Sequence, residues 1–244
     1  RNVTFGYGDK PVLVDVAFHA QPGTVTAIVG PSGSGKTTIA RLISRFWDVD
    51  SGAVMVDGVD IRELGTEQLM SRLSMVFQDV YLFDDSLIAN IRVGRPDASD
   101  EEVFRAADLS GVTSIANRLG WHTPVGEGGR LLSGGERQRV SVARALLKQA
   151  PIVLFDEATS ALDAENEANI LAAMDELREQ STFIVIAHKL DTIKSADQIV
   201  VLDEHGQVSQ LGTHSELSDV PGIYRHFWQQ RKAASGWKIS SGRD

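Results

Sequence analysis

The sequence predicts an α/β fold, with an antiparallel β portion towards the N-terminus and a helical insertion in the middle. Three observations point to it. The fully apolar run Ile152–Phe155 and the stretch Thr182–Ala187 read as buried strands of a parallel sheet. Val12, Val14, Val16 and Phe18 alternate with other residues, the pattern of a half-buried strand. Residues from about 66 to 148 are mostly helical in pattern, broken by a Gly/Pro-rich stretch at 120–129. Strands that alternate with helices pack as a sheet covered by helices.

The remaining elements follow in chain order. Pro22-Gly23 marks a turn, and Thr24 to Val29 is β-rich and leads into a glycine loop. Ile39 to Phe46 reads as the helix after that loop. Val54-Met55-Val56 and Val59-Asp60-Ile61 flank Asp57-Gly58, a hairpin signal. Ala164 to Arg178 is helical, with Ile170, Met174 and Leu177 on one face. Ile199–Leu202 and Val208–Leu211 flank a turn at Glu204-His205-Gly206. After Lys232 the pattern weakens, which predicts a loose tail. There is no internal repeat.

The bulk properties exclude several function classes. The 244 residues suit one α/β domain or two small ones. A net charge of −9 argues against a basic surface for nucleic acid. The absence of cysteine removes disulfides, zinc–thiolate sites and thiol chemistry, and is compatible with a reducing compartment. No apolar run approaches the roughly 18 residues of a membrane span. The chain opens on Arg1 and strand-like residues rather than Met, which reads as a piece of a longer polypeptide.

Gly30-Pro31-Ser32-Gly33-Ser34-Gly35-Lys36-Thr37 fits G-x-x-x-x-G-K-[ST] between an expected strand and an expected helix, and Thr38 follows it. The glycines let backbone N–H groups turn inward around an anion, and the helix adds its positive end. Lys36 would reach the β/γ-phosphates of a nucleotide, and the Thr37 hydroxyl could ligate Mg²⁺. A chance match in a chain this long is on the order of 1%. Nothing here matches the Asn-Lys-x-Asp element of guanine-specific proteins; His188-Lys189-Leu190-Asp191 lacks the Asn.

Asp156 ends an apolar strand and Glu157 follows it. Beside a phosphate loop, Asp156 is placed near Mg²⁺ and Glu157 to orient or deprotonate water. Leu132-Ser133-Gly134-Gly135-Glu136 opens a helix whose apolar positions include Val140, Ala143 and Leu147. Ser133 and Glu136 form a capping box. That leaves two successive glycines unexplained, since glycine is poor in a first helical turn. They make sense where the backbone must approach an anion.

On these residues the sequence closely resembles the ATP-binding cassette family. Leu132–Glu136 has the form of that family's signature motif. Tyr7 matches the aromatic that stacks on adenine. Gln78, in Val76-Phe77-Gln78-Asp79, matches the Q-loop glutamine. Ser160-Ala161-Leu162-Asp163 matches the D-loop, and His188 matches the switch histidine. Singly, each has a bland reading: Tyr7 as a core aromatic, Gln78 as a surface amide, His188 as a hydrogen-bonded structural histidine. Their joint order around the phosphate loop decides the matter.

The resemblance implies a phosphate-loop (RecA-like) core sheet, an antiparallel β subdomain and a helical subdomain at about 79–148. The nucleotide-binding domain would span 1–232, with 233–244 as a C-terminal tail. It implies ATP and Mg²⁺ as cofactors, with Thr37, Gln78 and Asp156 at the metal. Glu157, His188 and Gln78 would be the catalytic set. Such domains work as head-to-tail pairs, so Ser133, Gly134, Gly135 and Glu136 would face the partner's ATP and Asp163 would couple the two sites. The pair could be a homodimer or a heterodimer. Alone, the chain would associate weakly and hydrolyse slowly.

Thr123-Pro124-Val125-Gly126-Glu127-Gly128-Gly129 resembles the X-loop of exporter-type members. Gln78–Phe83, Ser86–Ile91 and Gly212–Leu217 resemble that class too. A membrane domain of the same polypeptide would precede this chain, holding it at the cytoplasmic face of the inner membrane. His188-Lys189-Leu190-Asp191-Thr192 and Ser235–Ile239 resemble a branch that imports ferric siderophores as a heterodimer. The competing readings are a soluble cassette ATPase of DNA repair or translation, and a non-hydrolysing regulatory cassette. The lack of a coiled coil or second cassette, and the acidic charge, speak against the first. The presence of Glu157, His188 and the whole signature speaks against the second.

Overall fold

The computed structural model describes residues 1–77, 79–156, 164–177, 180–187 and 190–240, with backbone alone at 164–167, 169–170, 176, 191 and 234–240. In chain order come β1 (Val3–Phe5), β2 (Leu13–Val16), β3 (Val25–Val29), α1 (Lys36–Ile43), β4 (Met55–Val56), β5 (Val59–Asp60) and α2 (Thr66–Arg72). Then follow β6 (Leu73–Val76), α3 (Leu87–Arg92), α4 (Asp100–Leu109), α5 (Thr113–Leu119), α6 (Gly134–Lys148) and β7 (Ile152–Asp156). The chain continues through α7 (Ala164–Leu177), β8 (Thr182–Ile186), α8 (Leu190–Lys194), β9 (Gln198–Leu202), β10 (Val208–Gly212), α9 (His214–Ser218) and α10 (Ile223–Ser240). It forms two compact units, Arg1–Leu69 with Ile184–Asp244, and Met70–Phe183.

In the first unit β10, β9, β3 and the Ile184–Ile186 end of β8 lie side by side. β3 pairs with β9 in parallel, and β10 closes the edge antiparallel to β9. Every residue of β3 is buried, which is why Val25-Thr26-Ala27-Ile28-Val29 shows no alternation. β4 and β5 form the expected hairpin, with both turn residues left-handed: Asp57 at φ 51° and Gly58 at φ 80°.

β1 and β2 pair antiparallel, but the expected alternation is displaced. Leu13 and Val16 are buried, whereas Val12, Val14 and Phe18 are only partly covered. Asp15 sits at φ 52°, where the register shifts, so the strand bulges and its inward face changes. The Thr4 hydroxyl accepts the Asp15 N–H at 3.1 Å and fixes the bulge.

At the C-terminal side, His214 Nδ1 lies 2.7 Å from the hydroxyl of the fully buried Tyr224. Burial first, and Lys194 second, hold the His214 imidazole below its ordinary pKa. The Thr213/Glu216 capping box starts α9 beside it. Where the weak pattern after Lys232 predicts a loose tail, the α10 backbone stays helical to Ser240.

The second unit departs from the sequence reading at one point. Inside the stretch read as helical, β6 pairs in parallel with β7, Leu73 opposite Ile152 through Val76 opposite Phe155. A single β-branched residue, Val76, in a four-residue strand is too weak a signal to separate it from α2. α6 packs on β6, and α3 and α4 pack on α6. Val140, Ala143 and Leu147 of α6 are buried, as its periodicity requires. Phe155 stacks on Phe183 at 6.2 Å between centroids. Gly94 lies so close to α6 that a Cβ there would meet the Arg144 carbonyl oxygen at 2.2 Å.

Candidate functional site

β3 delivers the chain into the glycine loop, and α1 takes it away. Two of the glycines are required by space. A Cβ on Gly30 would meet the Leu202 carbonyl oxygen at 2.7 Å. One on Gly35 would meet the Leu13 side chain at 2.5 Å, at φ 90°. Gly35 is also the N-cap of α1. It offers no side-chain acceptor, and the first turn has no acidic residue, so the helix begins with its positive end uncompensated by its own side chains.

Lys36 is buried, and its ammonium donates to the Gly30 and Pro31 carbonyls at 3.1 and 2.8 Å. The Ser34 hydroxyl is buried and has no hydrogen-bond partner among the described residues. A buried hydroxyl without a partner costs about 1–3 kcal/mol, which a ligand oxygen arriving in the loop would relieve. Pro31, Ser32 and Gly33 are exposed, and Gly33 has open space where a side chain would be. Thr37 stands half-buried in the first turn of α1 and Thr38 is buried behind it.

Tyr7 belongs to the same unit, 49% exposed, with its hydroxyl 3.3 Å from Thr38 Oγ1. A core aromatic would be covered. Two residues that the sequence reading passed over stand beside it: Arg41 donates to the Tyr7 hydroxyl at 3.3 Å, and the Trp47 ring lies 5.1 Å from the Tyr7 ring. The exposed Phe46-Trp47 pair just past α1 was the available signal.

In the second unit Asp156 is buried at the end of β7, so the strand-end carboxylate is in place. Ser133 is the N-cap of α6, and both halves of the capping box form. The Ser133 hydroxyl accepts the Glu136 N–H at 3.3 Å, and Glu136 Oε2 accepts the Ser133 N–H at 2.8 Å. Glu136 also pairs with Arg118. Ser133 and Gly134 are exposed, and Gly134 has nothing within 4 Å of a Cβ position. Gly135 is half-covered. The cap thus explains Ser133 and Glu136, while the glycines keep an open helix end.

Burial alone would raise the Glu136 pKa. The Ser133 N–H and the Arg118 guanidinium outweigh that and hold it below the ordinary value. A depressed folded pKa stabilises the cap above the usual carboxylate range, and that stabilisation is lost as pH falls through the lowered value. Ser133→Ala removes the hydroxyl that accepts the Glu136 N–H and is expected to cost about 1 kcal/mol at neutral pH. Arg118→Met, which removes the guanidinium beside Glu136, should flatten the acid limb of a urea-unfolding series. An unchanged acid limb would mean that Arg118 does not couple to Glu136 ionisation.

Gln78, Glu157, Asp163 and His188 lie outside the described residues.

A family model described as ABC transporter matches residues 13–160. The chain belongs to the ABC transporter family. It is a nucleotide-binding domain of that family. It is 48% identical over 242 residues to the mycobactin import ATP-binding/permease protein IrtB of Mycolicibacterium thermoresistibile. It is 47% identical over 229 residues to the ATP-dependent lipid A-core flippase of Vibrio vulnificus. These matches cover 98% and 92% of the chain but 42% and 39% of the relatives. A solved structure of a bacterial Atm1-family ABC exporter with ATP bound superposes with a TM-score of 0.90 at 45% identity, over 94% of this chain and 41% of that one. These relatives are membrane transporters. In this ABC chain, no helix of the described residues is long and apolar enough to cross a membrane.

One more side chain of this ABC domain escaped the sequence reading. Arg144 on α6 donates to the Asn90 carbonyl at 2.6 Å, to Asn90 Oδ1 at 2.5 Å and to the Tyr81 carbonyl at 2.9 Å. Its guanidinium carbon lies 5.6 Å from the Phe83 ring centroid. It holds the segment that follows Gln78 in sequence, where Tyr81 and Phe83 are exposed.

Proposed function

We propose that this chain is the motor domain of a membrane transporter, and that it hydrolyses ATP·Mg²⁺ as half of a head-to-tail pair with a second nucleotide-binding domain. One observation carries the reading: Ser133 and Gly134 stand exposed at the head of a 15-residue helix, with open space where the fold asks for nothing. An exposed, glycine-lined helix end suits a γ-phosphate brought by another copy or a homologous partner.

Within the pair the residues take these roles. Tyr7 stacks on the base. Gly30 to Thr38 wrap the phosphates, and Lys36 moves from its loop carbonyls to phosphate oxygens. Thr37, Gln78 and Asp156 would hold Mg²⁺, since hydroxyl, amide and carboxylate oxygens are the hard donors it prefers, and the ion would neutralise phosphate charge. Glu157 orients and deprotonates the attacking water, and His188 stabilises the charge that builds on the γ-phosphate. Gln78 relays occupancy to the membrane domain, and Asp163 links the two sites.

The membrane domain belongs to the same polypeptide, and the chain works at the cytoplasmic face of the inner membrane. The exposed Tyr81 and Phe83, backed by Arg144, support a partner surface on the segment that follows Gln78 in sequence. The cargo is a ferric siderophore, a reading supported by the 48% identity to a protein named for mycobactin import. The test is transport by the full-length protein in vesicles. ATP should drive vectorial movement of labelled ferric siderophore. Turnover with no such movement, but with movement of a lipid, would overturn the cargo and leave the motor.

A further inference from the structure

The ring proposed to stack on the base is itself held in place by two side chains that no phosphate-binding role requires. Tyr7 stands at 87° to Trp47, with centroids 5.1 Å apart. Its hydroxyl accepts from Arg41 Nη1 at 3.3 Å. Arg41 closes the triangle, its guanidinium carbon 5.9 Å from the Trp47 centroid. Phe5, at 5.0 Å and 85°, supports Tyr7 from β1.

This triangle is not core packing. Tyr7 and Trp47 are 49% and 43% exposed, and Arg41 is exposed as well. Edge-to-face aromatic contact and a cation over an aromatic face both favour one relative orientation. An aromatic platform favours stacking only when its plane is already set. A ring free to rotate must be ordered on binding, and that ordering subtracts from affinity.

We infer that Arg41 and Trp47 are positioning residues that fix the plane of Tyr7, so that nucleobase recognition depends on three side chains rather than one. The inference rests on the proposal that Tyr7 is the base platform. Arg41 lies in the last turn of α1, whose first turn follows the phosphate loop directly. One short helix therefore sets both the phosphate cradle and the base platform, and the ligand class is a nucleoside triphosphate gripped at both ends.

The experiment compares the dissociation constants of ATP and of inorganic tripolyphosphate for the chain. Trp47→Ala should weaken ATP roughly 3- to 10-fold and leave tripolyphosphate unchanged. Arg41→Ala should act in the same direction with a smaller change, of about 3-fold. Trp47→Phe, which keeps an aromatic edge, should restore most of the ATP affinity. Retained tripolyphosphate binding reports that each variant is folded. Equal weakening of both ligands, or of neither, overturns the positioning role. If the unaltered chain binds neither ligand, the phosphate-loop reading fails and this inference fails with it. If Lys36→Ala loses both ligands while Trp47→Ala loses neither, only the positioning role fails.

Discussion

Glu157→Gln is expected to lower steady-state ATP turnover by about 10²- to 10⁴-fold, the usual range for loss of a general base. Nucleotide binding should survive, because an amide occupies nearly the same volume and takes no part in the phosphate loop. Binding without turnover should accumulate the closed, ATP-bound pair, visible as a stable dimer by light scattering. Asp156 is the buried last residue of β7, and the carboxylate after it is the first one past the sheet. Full activity in the Gln variant would remove Glu157 from the chemistry. Lost turnover without a trapped dimer would place the residue in the reaction but contradict head-to-tail closure.

Lys36→Ala should have the second largest effect, acting on binding rather than on turnover. The ammonium now makes two hydrogen bonds to loop carbonyls, at 3.1 and 2.8 Å. In the nucleotide complex it would exchange them for charge-assisted bonds to phosphate oxygens. Hydrogen bonds to charged groups contribute about 1.5–3 kcal/mol each, so loss of one or two corresponds to a weakening on the order of 10²-fold or more. The loop itself should persist, because Gly30 lies close against the Leu202 carbonyl and Gly35 against the Leu13 side chain, whichever residue stands at 36. Titration of ATP by calorimetry, with circular dichroism as the folding control, measures this. Unchanged affinity would refute the phosphate-loop assignment.

Legibility in the sequence followed the strength of each local signal. The phosphate loop, the Asp57-Gly58 hairpin and the capping box at Ser133/Glu136 were readable because each rests on a few residues in fixed spacing. β7 and β8 were readable because their apolar runs are continuous. The inward face of β2 was not, because the left-handed Asp15 shifts the register in the middle of the strand. β6 was hidden because it follows α2 without a break, and its partner β7 lies far along the chain. Arg41, Trp47 and Arg144 were invisible for a related reason. Their partners are set by packing across elements, and an arginine on a helix has no periodic signature. The role proposed for Tyr7 rests on the order of the motifs, since a lone aromatic in a β segment usually reads as core.

Arg144 differs from Glu136 in how it answers to solution conditions. Both secure segments of one unit to α6, but Glu136 does so through ionisable and charged partners. Arg144 holds two backbone carbonyls and an amide oxygen, acceptors that carry no net charge and do not titrate. Burial pulls its pKa down to about 10, which still leaves it cationic near neutrality. Among the described residues it has no ion pair for dissolved salt to screen and no carboxylate for mild acid to neutralise. The fastening of the Tyr81–Asn90 stretch should therefore be indifferent to ionic strength and to acidification, while the helix cap some ten residues earlier in α6 loosens.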